Sequence, residues 1–378
     1  MEDAALLVAV TSEEAVNITT CLIAKKLGAK STIARINKME YLIDKESLDL
    51  KDIGIDNLIS PESLAAREIK YILKSPALTE MIDLENGKLS IMSLSLHEES
   101  PLIGKSIGQM THLIPEQSFM IVAIQRFEET IIPSGSTIFN EGDQIYFLSK
   151  PKDKNKVLEF VGKEPITIKR LMIIGGSRTG KYLSKTYEIT LIEKDPDKVQ
   201  ELAMEVQGVQ IVHGNGADAK MLQQEKIETY DALVAVTGSS ETNISSCLIA
   251  KDMGVKKTVA LVENPSLFNY SKKLGVDTFV NKKFAAANFV FRSFHQSEIF
   301  SKLYGIKAEI LEFVVKENSK ITKKPISKLS IPSNTVISGV IRQNSGFITQ
   351  GDFQIQAGDK VLIFTLPKNV QKVTTLFS

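Results

Sequence analysis

The sequence predicts an α/β protein with doubly wound parallel sheets that occur twice in tandem, each followed by a small α+β module. Three observations support this fold class. Short apolar runs alternate with amphipathic stretches of helical period, one long segment recurs later in the chain without a gap, and an apolar run enters a Gly-rich turn. Apolar strands that alternate with helices are typical of a parallel sheet covered on both faces.

The repeated segment begins at Leu7 and recurs from Leu233, and the two copies align without a gap. The first copy reads LVAVTSEEAVNITTCLIAKKLGAKSTIARI, and the second reads LVAVTGSSETNISSCLIAKDMGVKKTVALV. A gapless match of this length indicates a duplicated domain, and internal repeats fix the architecture before any single element is assigned.

Each copy predicts the same order of elements: strand, helix, strand, and then a short final strand and a last helix. The predicted strands are 6–10, 32–36 and 56–59 in the first copy, and 232–236, 258–262 and 277–280 in the second. We predict Ser12 and Ser239 as the N-caps of the first helices. The last helices, 63–73 and 284–294, are predicted to be amphipathic, and the second is rich in aromatic residues, which indicates an interface helix.

A small β-rich module follows each copy. Alternating apolar and polar residues end in the matched sequences EGDQIYFLSKP and AGDKVLIFTLP, and the same alignment also pairs Arg126 with Arg342. A lysine-rich linker, 151–169, separates the two repeats. The predicted domains are a partial first sheet domain at 1–84, its module at 85–160, a second sheet domain at 169–296, and its module at 297–378.

The first sheet domain is incomplete. Met1 falls just before the position that the fourth strand has in the second copy, and residues 1–84 contain no Gly-rich turn. Half a sheet would leave a long unpaired edge, which natural proteins avoid. We therefore expect that the chain is truncated or that residues are missing from the sequence.

The stretch LMIIGGSRTGKYLSKTYEITLIEKD, from Leu171 to Asp195, has the features of a Rossmann-like nucleotide-binding unit. A Gly-rich turn lets the backbone approach a diphosphate, and the helix after it offers unpaired N–H groups to that anion. Glu193 ends the next strand, close to the place where such units carry an acid that accepts hydrogen bonds from a ribose. The same acid would repel the 2′-phosphate of NADP, which we therefore expect to bind poorly.

Composition excludes several classes of function. The chain has 46 Lys and Arg against 45 Asp and Glu, so no excess of positive charge is available to bind nucleic acid. No apolar run reaches the roughly 18 to 20 residues that span a bilayer, and the N-terminus has no basic signal-peptide region. The histidines are scattered without a zinc-ligand pattern, and Cys21 and Cys247 are predicted to be buried packing residues.

These motifs, in this order, resemble the RCK (or KTN) regulators of potassium conductance. The resemblance is carried by IIGGSRTGKYLSK, ITLIEKD, HGNGADAKMLQQEKIETYDALVAVTGSSETNI and AKDMGVKKTVALV, followed by a module that ends in AGDKVLIF. Two RCK units in tandem are similar to the peripheral subunits of bacterial and archaeal Trk potassium-uptake systems. The resemblance implies a cytoplasmic homo-oligomer, dimer or tetramer, that docks beneath a membrane Trk-type potassium transporter and changes its gating when NAD(H), ATP or ADP binds.

The resemblance also implies which residues face the nucleotide. The Gly-rich turn would face the phosphates, the end of the second strand the ribose, the loop after the third strand the adenine, and the turn after the fourth strand the middle of the ligand. The implied site residues are Gly175, Gly176, Ser177, Arg178, Thr179, Gly180, Glu193, Lys194, Asn215, Gly216, Ala217, Asp218, Thr237, Gly238 and, in the first copy, Arg35.

Three positions depart from the family pattern. Ser177 replaces the middle glycine of the turn, Asn215 stands where an aspartate is common, and Leu261 takes the place that Arg35 has in the first copy. A simpler interpretation also exists for two of the basic residues: Arg178 as a solvated cation at a helix start, and Arg35 as the partner of a nearby surface acid.

Three functions remain open from the sequence. The first is a nucleotide-sensing subunit that gates a potassium transporter. The second is an NAD-dependent oxidoreductase, for which the sequence offers no convincing proton donor or acceptor, and the third is an oligomerisation scaffold with degenerate nucleotide binding. In the first case, we expect ligand binding between the turn and Thr237 to draw the sheet edges together and to shift helix 284–294 across a dimer interface.

Overall fold

The structure is a computed structural model that describes residues 4–37, 53–114, 117–264, 275–294, 306–317 and 319–377. The chain divides into two compact units, and each unit takes one piece from each repeat. The first unit holds residues 1–74 and 167–294, and the second holds residues 75–166 and 295–378. Within the described ranges, no helix is both long and apolar enough to cross a membrane.

Parallel sheets with helices form the first unit, and antiparallel sheets dominate the second. The strands are β1 (Leu7–Ala9), β2 (Thr32–Arg35), β3 (Asn57–Ile59), β4 (Glu80–Leu84), β5 (Leu89–Ser95), β6 (Phe119–Arg126), β7 (Glu129–Ile131), β8 (Gln144–Ser149), β9 (Arg170–Ile174), β10 (Glu188–Glu193), β11 (Val209–His213), β12 (Ala232–Ala235), β13 (Lys257–Leu261), β14 (Thr278–Val280), β15 (Glu309–Val314), β16 (Thr335–Arg342), β17 (Ser345–Ile348) and β18 (Lys360–Thr365). The α-helices are α1 (Glu14–Lys26), α2 (Pro61–Lys74), α3 (Ile107–Met110), α4 (Lys154–Val161), α5 (Ser177–Leu183), α6 (Pro196–Glu205), α7 (Ala219–Gln224), α8 (Ser240–Asp252), α9 (Lys282–Phe294) and α10 (Val370–Phe377).

The second repeat folds into a six-stranded parallel sheet. Its strands lie in the order β11-β10-β9-β12-β13-β14, and every neighbouring pair is parallel. Leu171, Met172 and Ile173 on the central β9 are fully buried, as expected for an apolar strand covered on both faces. The chain order reverses between β9 and β12, which is where doubly wound sheets bind ligands. The predicted fold class is confirmed.

The first repeat contributes a three-stranded parallel sheet, β1-β2-β3, to the same unit. This sheet domain contains a salt bridge that is equivalent to one in the second copy. Lys25 Nζ lies 2.9 Å from Asp56 Oδ2, and Lys251 Nζ lies 2.7 Å from Asp277 Oδ1. The free cysteines Cys21 and Cys247 are both buried, as predicted. The duplication is therefore visible at the level of single side chains.

One predicted helix start is wrong. Helix α1 begins at Glu14, with Glu13 at the N-cap position and no side-chain cap. In the second copy, Ser239 does cap α8, because its Oγ accepts a hydrogen bond from the N–H of Thr242 at 3.1 Å. The gapless alignment of the two copies places Ser239 opposite Glu13 and not opposite Ser12. The two serines are therefore not equivalent, and only Ser239 is the N-cap of a helix.

The last helices of the two sheet domains pack together inside the first unit. Helix α2 of the first copy contacts α9 of the second, and it also contacts α5, which follows the Gly-rich turn. Helix α2 buries Ala65, Ile69, Ile72 and Leu73, as their spacing on one helical face predicts. Helix α9 contains the predicted interface helix, and the contact described for it is with α2 of the same chain.

The second unit contains both modules as antiparallel sheets of similar topology. Their strand orders are β4-β5-β8-β6-β7 and β15-β18-β16-β17. In each module an arginine holds a buried aspartate through two hydrogen bonds of 2.8 Å, Arg126 with Asp143 and Arg342 with Asp359. These equivalent pairs match the alignment of the two modules that the sequence indicated.

Buried side chains from both modules form one hydrophobic core. Leu89, Tyr146 and Leu148 of the first module belong to the same cluster as Leu362 and Phe364 of the second, and all five are fully buried. Burying a large apolar side chain contributes about 1.5 to 3 kcal/mol. The apolar contact therefore stabilises the two modules as a single body.

A partly buried charged cluster also joins the modules. Lys360 Nζ lies 2.9 Å from Glu85 Oε1 and 3.5 Å from Glu312 Oε1. Burial, followed by the negative charge of Glu85, raises the pKa of Glu312, and Oε2 of Glu312 has no hydrogen-bond partner among the described residues. The equivalent positions of the first module hold Gln144 and Ser93, which share a neutral hydrogen bond of 3.1 Å. The second module therefore carries a charge that the first lacks.

Replacing Glu312 with glutamine is expected to stabilise the protein at neutral pH by about 1 kcal/mol, because a neutral amide is less costly to bury than a carboxylate that faces the negative charge of Glu85. Because folding raises the pKa of Glu312, the stability that this carboxyl contributes is complete in acid and is lost as the pH rises through its pKa. Thermal unfolding at acidic and neutral pH should show that the gain disappears in acid. The control Glu85→Gln removes the shorter ion pair and should lower stability at neutral pH; an equal gain from both variants would contradict this assignment.

Candidate functional site

A cleft of about 510 Å³ opens at the carboxyl ends of β9, β10 and β12, where the strand order reverses. Four chain segments form its walls: the turn after β9, the end of β10, the loop after β11 and the turn after β12. The sequence-predicted residues that line the cleft are Gly175, Gly176, Glu193, Lys194, Asn215, Gly216, Ala217, Thr237 and Gly238. Segments far apart in the sequence therefore meet at one edge of the sheet.

The turn after β9 requires two consecutive glycines. Gly175 and Gly176 have φ angles of +68° and +69°, a region that residues with a Cβ rarely adopt. A Cβ on Gly175 would lie 2.9 Å from Thr237 Cγ2, and one on Gly176 would lie 2.2 Å from Val236 Cγ2. The close approach to the β12 turn is therefore made by the pair 175 and 176, which precede the position of Ser177.

Helix α5 begins at Ser177 with Gly176 as its N-cap, so the N–H groups of its first turn follow the glycine pair. Such N–H groups have no partner within the helix and attract anions. The side chains of Ser177 and Arg178 lie outside the described part of the structure. Their predicted contact with phosphate therefore stays a prediction.

The two remaining predicted turn residues lie behind the cleft. Thr179 is only 8% exposed, and a Cβ on Gly180 would lie 2.8 Å from Leu191 Cδ1 on β10. Gly180 therefore allows the helix to pack closely on the sheet, which is the usual role of the third glycine in this motif. Neither residue is among those that line the cleft.

Glu193 ends β10 at the cleft. Its Oε1 accepts hydrogen bonds from the backbone N–H groups of Lys194 at 2.9 Å and Asp195 at 3.1 Å. These two bonds fix the carboxylate at the edge of the sheet. A carboxylate has about four acceptor sites, so capacity remains to bind two ribose hydroxyls.

The loop after β11 forms the wall that was predicted to lie beside adenine. Asn215 Oδ1 accepts from the N–H of Ala217 at 3.1 Å, and a Cβ on Gly216 would lie 2.3 Å from Ile174 Cγ2. Asp218 does not line the cleft, because it caps helix α7 by accepting from the N–H of Lys220 at 2.9 Å. Asp218 therefore shapes the loop, whereas Asn215, Gly216 and Ala217 border the space.

The opposite wall is held by a buried amide. Asn243 Oδ1 accepts from the N–H of Thr237 at 2.9 Å and from its hydroxyl at 2.7 Å, and Asn243 Nδ2 donates to the carbonyl of Leu261 at 2.8 Å. Asn17 makes the equivalent contacts with Thr11 in the first copy. Asn243 therefore fixes the turn that carries Thr237, and its role is structural.

Three polar residues that line the cleft were missed by the sequence prediction: Lys198, Ser239 and Thr242. Lys198 lies in the first turn of α6, and Thr242 lies in the first turn of α8. In a parallel α/β sheet the first turn of each helix follows the carboxyl end of a strand, so these positions reach the ligand-binding edge. Lys198 and Thr242 could therefore have been predicted from their positions in the first turns of these helices.

Arg35 is the predicted site residue that belongs to the other copy. It ends β2 in the three-stranded sheet and is not among the residues that line the cleft. Its Nε atom is buried and has no hydrogen-bond partner within the described part of the chain. The structure thus does not bring Arg35 to the cleft of the second repeat.

Two family models match the chain. The TrkA-N domain matches residues 1–61 and 171–282, and the TrkA-C domain matches residues 91–162 and 310–378. The chain belongs to the TrkA family. In this TrkA-family protein the N-domain matches fall on the two parallel sheets, and the C-domain matches fall on the two antiparallel modules.

Curated TrkA relatives align along the whole chain. Trk system potassium uptake protein TrkA homolog 1 of Methanosarcina mazei is 30% identical over 392 residues, a match that covers 100% of this chain and 87% of that protein. The TrkA homolog of Archaeoglobus fulgidus is 30% identical over 382 residues, with 100% and 86% of the two chains covered. The similarity therefore includes all four matched segments of the TrkA-family chain.

Solved structures with this fold include the RCK domain of GsuK. That crystal structure has a TM-score of 0.55 and 16% identity, and the match covers 99% of this chain and 80% of that one. The GsuK channel bound to NAD gives a TM-score of 0.55 and 16% identity, with 99% and 67% covered. At this identity the likeness shows that the TrkA-family chain shares the tandem RCK fold.

Proposed function

We propose that this protein is a regulatory subunit that binds an adenine nucleotide, NAD(H) or ATP or ADP, and gates a membrane Trk-type potassium transporter. The observation that carries the proposal is a single cleft that contains both the Gly175–Gly176 turn and the carboxylate of Glu193. The turn offers backbone N–H groups to phosphate, and the carboxylate offers acceptors to a ribose.

The proposed ligand lies across the reversal of strand order. Its diphosphate contacts the glycine pair and the start of α5, and its adenosine ribose contacts Glu193. The adenine lies beside Asn215, Gly216 and Ala217, and the far end of the ligand lies beside Thr237 and Gly238. Lys194 and Lys198 add positive charge near the ribose end and partly offset the repulsion that Glu193 exerts on a phosphate.

The comparisons support a role in potassium transport. The curated relatives are named as potassium uptake proteins of Trk systems, and one channel with the same fold was solved with NAD. We place the protein at the cytoplasmic face of the membrane, where it assembles as a homo-oligomer and binds the transporter that forms the pore. Nucleotide binding at Glu193 and the glycine pair then changes the gating of that transporter.

Potassium flux into vesicles that contain the Trk-type transporter tests the proposal. Adding the full-length protein should make the flux depend on NAD, ATP or ADP, whereas NADP should have a smaller effect because its 2′-phosphate faces Glu193. Vesicles without the added protein are the control and should show no response to nucleotide. The same flux with and without the protein, in the presence of each nucleotide, would rule out a regulatory role.

A further inference from the structure

Helix α2 of the first copy is attached to the wall of the cleft that carries the phosphate turn. It packs against α5, the short helix that begins directly after Gly176. The ammonium group of Lys70 on α2 lies 5.0 Å from the centre of the Tyr182 ring on α5, which is the distance of a cation–π contact. A displacement of α5 when phosphate binds would therefore act on α2.

Helix α2 is also attached to the opposite wall, through an ionic bridge centred on Lys282. Lys282 is the first residue of α9, and its Nζ lies 3.2 Å from Glu263 Oε1 and 3.8 Å from Oε1 of Glu62, the second residue of α2. The N–H of Glu263 donates to Ser240 Oγ at 3.0 Å. Ser240 begins α8, directly after the cleft residue Ser239.

The energy of this bridge is sensitive to the distance between its charges, because the bridge is partly shielded from water. The side chains of Lys282 and Glu62 are 25% and 27% exposed. The second oxygen of Glu62, Oε2, is buried and has no hydrogen-bond partner among the residues that the structure describes. Ionic attraction is stronger in such a low-dielectric setting and changes more steeply with distance than it does in water. A small shift between α9 and α2 would therefore change the energy of the contact.

At the equivalent described positions, the first copy does not have this bridge. The position equivalent to Lys282 holds Pro61, since both residues begin the last helix of their domain. The gapless alignment places Asn37 at the position of Glu263 and Glu14 at the position of Ser240. The basic residue therefore occurs in the copy whose cleft carries the Gly175–Gly176 turn.

We propose that Lys282 couples the nucleotide state of the cleft to helix α2 of the first copy. The inference rests on the proposed function, because it requires that a nucleotide binds in the cleft. Helix α2 is joined to one wall through Tyr182 and to the other through Lys282, so a ligand that draws the walls together must change at least one of the two contacts. The second sheet domain thereby controls the position of a helix that belongs to the first.

Amide hydrogen exchange of the full-length protein tests this coupling. Calorimetry first identifies which of NAD, ATP or ADP binds, and exchange of the peptides from α2 is then measured with and without that nucleotide. We expect nucleotide to change exchange in α2 of the wild type. Lys282→Met should still bind nucleotide, with an affinity that changes by no more than the energy of the lost contact, but it should lose at least half of the change in α2. Glu62→Gln, which removes the same contact from the other side, should do the same.

The matched control is Lys283→Met, which removes an exposed lysine one position further along α9. It should retain the full response of α2. If α2 of the wild type shows no change on nucleotide binding, or if Lys282→Met responds like the wild type, the coupling is overturned while the proposed function stands. If no nucleotide binds to the wild type, the proposed function fails and the coupling fails with it.

Discussion

Replacing Gly176 with alanine is expected to lower nucleotide affinity by about tenfold or more. The alanine must adopt a φ near +69°, and a left-handed conformation costs about 1 to 2 kcal/mol for a residue with a Cβ. Its methyl group would also lie 2.2 Å from Val236 Cγ2, so the turn must move away from the β12 wall. A loss of about 1.4 kcal/mol in binding free energy corresponds to tenfold in Kd.

The control for this variant is Gly254→Ala. Gly254 also has a positive φ, +93°, but no described atom lies within 4 Å of the Cβ position. It ends helix α8 on the side of the sheet away from the cleft. The control should therefore lose thermal stability through the same kind of backbone strain, by less than Gly176→Ala because no clash is added, and keep the affinity of the wild type. Equal affinities for both variants, measured by calorimetry, would show that the glycine pair does not form the phosphate site.

Replacing Glu193 with alanine is expected to weaken the binding of NAD by about 1.5 to 3 kcal/mol, the range of a hydrogen bond to a charged group. That loss corresponds to roughly 10-fold to 150-fold in Kd. NADP should lose less affinity or gain some, because the variant no longer repels the 2′-phosphate and Lys194 and Lys198 remain in the cleft. The variant should therefore discriminate less between NAD and NADP than the wild type does. Calorimetry with both nucleotides measures this as the ratio of the Kd for NADP to the Kd for NAD.

Glu188 provides the matched control for Glu193. It lies at the opposite end of the same strand, its side chain is 75% exposed, and its ion pair with Arg170 is long at 3.8 Å. Glu188→Ala removes the same chemical group from the same strand without touching the cleft. If both variants bind NAD like the wild type, the ribose contacts another residue.

The fold and the position of the site could be predicted because simple rules govern parallel α/β sheets. Alternation of apolar strands and helices determines the layers, and the carboxyl ends of parallel strands meet at one edge. From the sequence alone, these rules place Gly175, Glu193, Asn215 and Thr237 together. The duplication in the sequence also predicted that the two copies have equivalent elements.

The direction of individual side chains could not be predicted from the same rules. Gly180 and Asp218 lie in the correct segments, but one packs against Leu191 and the other caps a helix. Lys198 was missed because it lies beyond the end of the strand, and only the start of α6 places it at the cleft. Side-chain roles depend on local hydrogen bonds and on tertiary contacts that a single sequence does not encode in a periodic pattern.

Contacts between the two repeats also could not be predicted from the sequence. The ionic bridge from Lys282 to Glu62 and the ion pair of Lys360 with Glu85 each join residues from different repeats, far apart along the chain. No spacing rule relates residues of such separation, because the contacts arise from packing of complete domains. The duplication predicted two similar domains but not which of their surfaces meet.

Calorimetric titration of the full-length chain with NAD, ATP and ADP in turn tests the central proposal most directly. The second copy holds the Gly175–Gly176 pair and Glu193 in one cleft. We predict that at least one of these nucleotides binds to the wild type and that Glu193→Ala weakens its binding. Binding of none of them, or binding that both Gly176→Ala and Glu193→Ala leave unchanged, would contradict the assignment of the cleft as the nucleotide site.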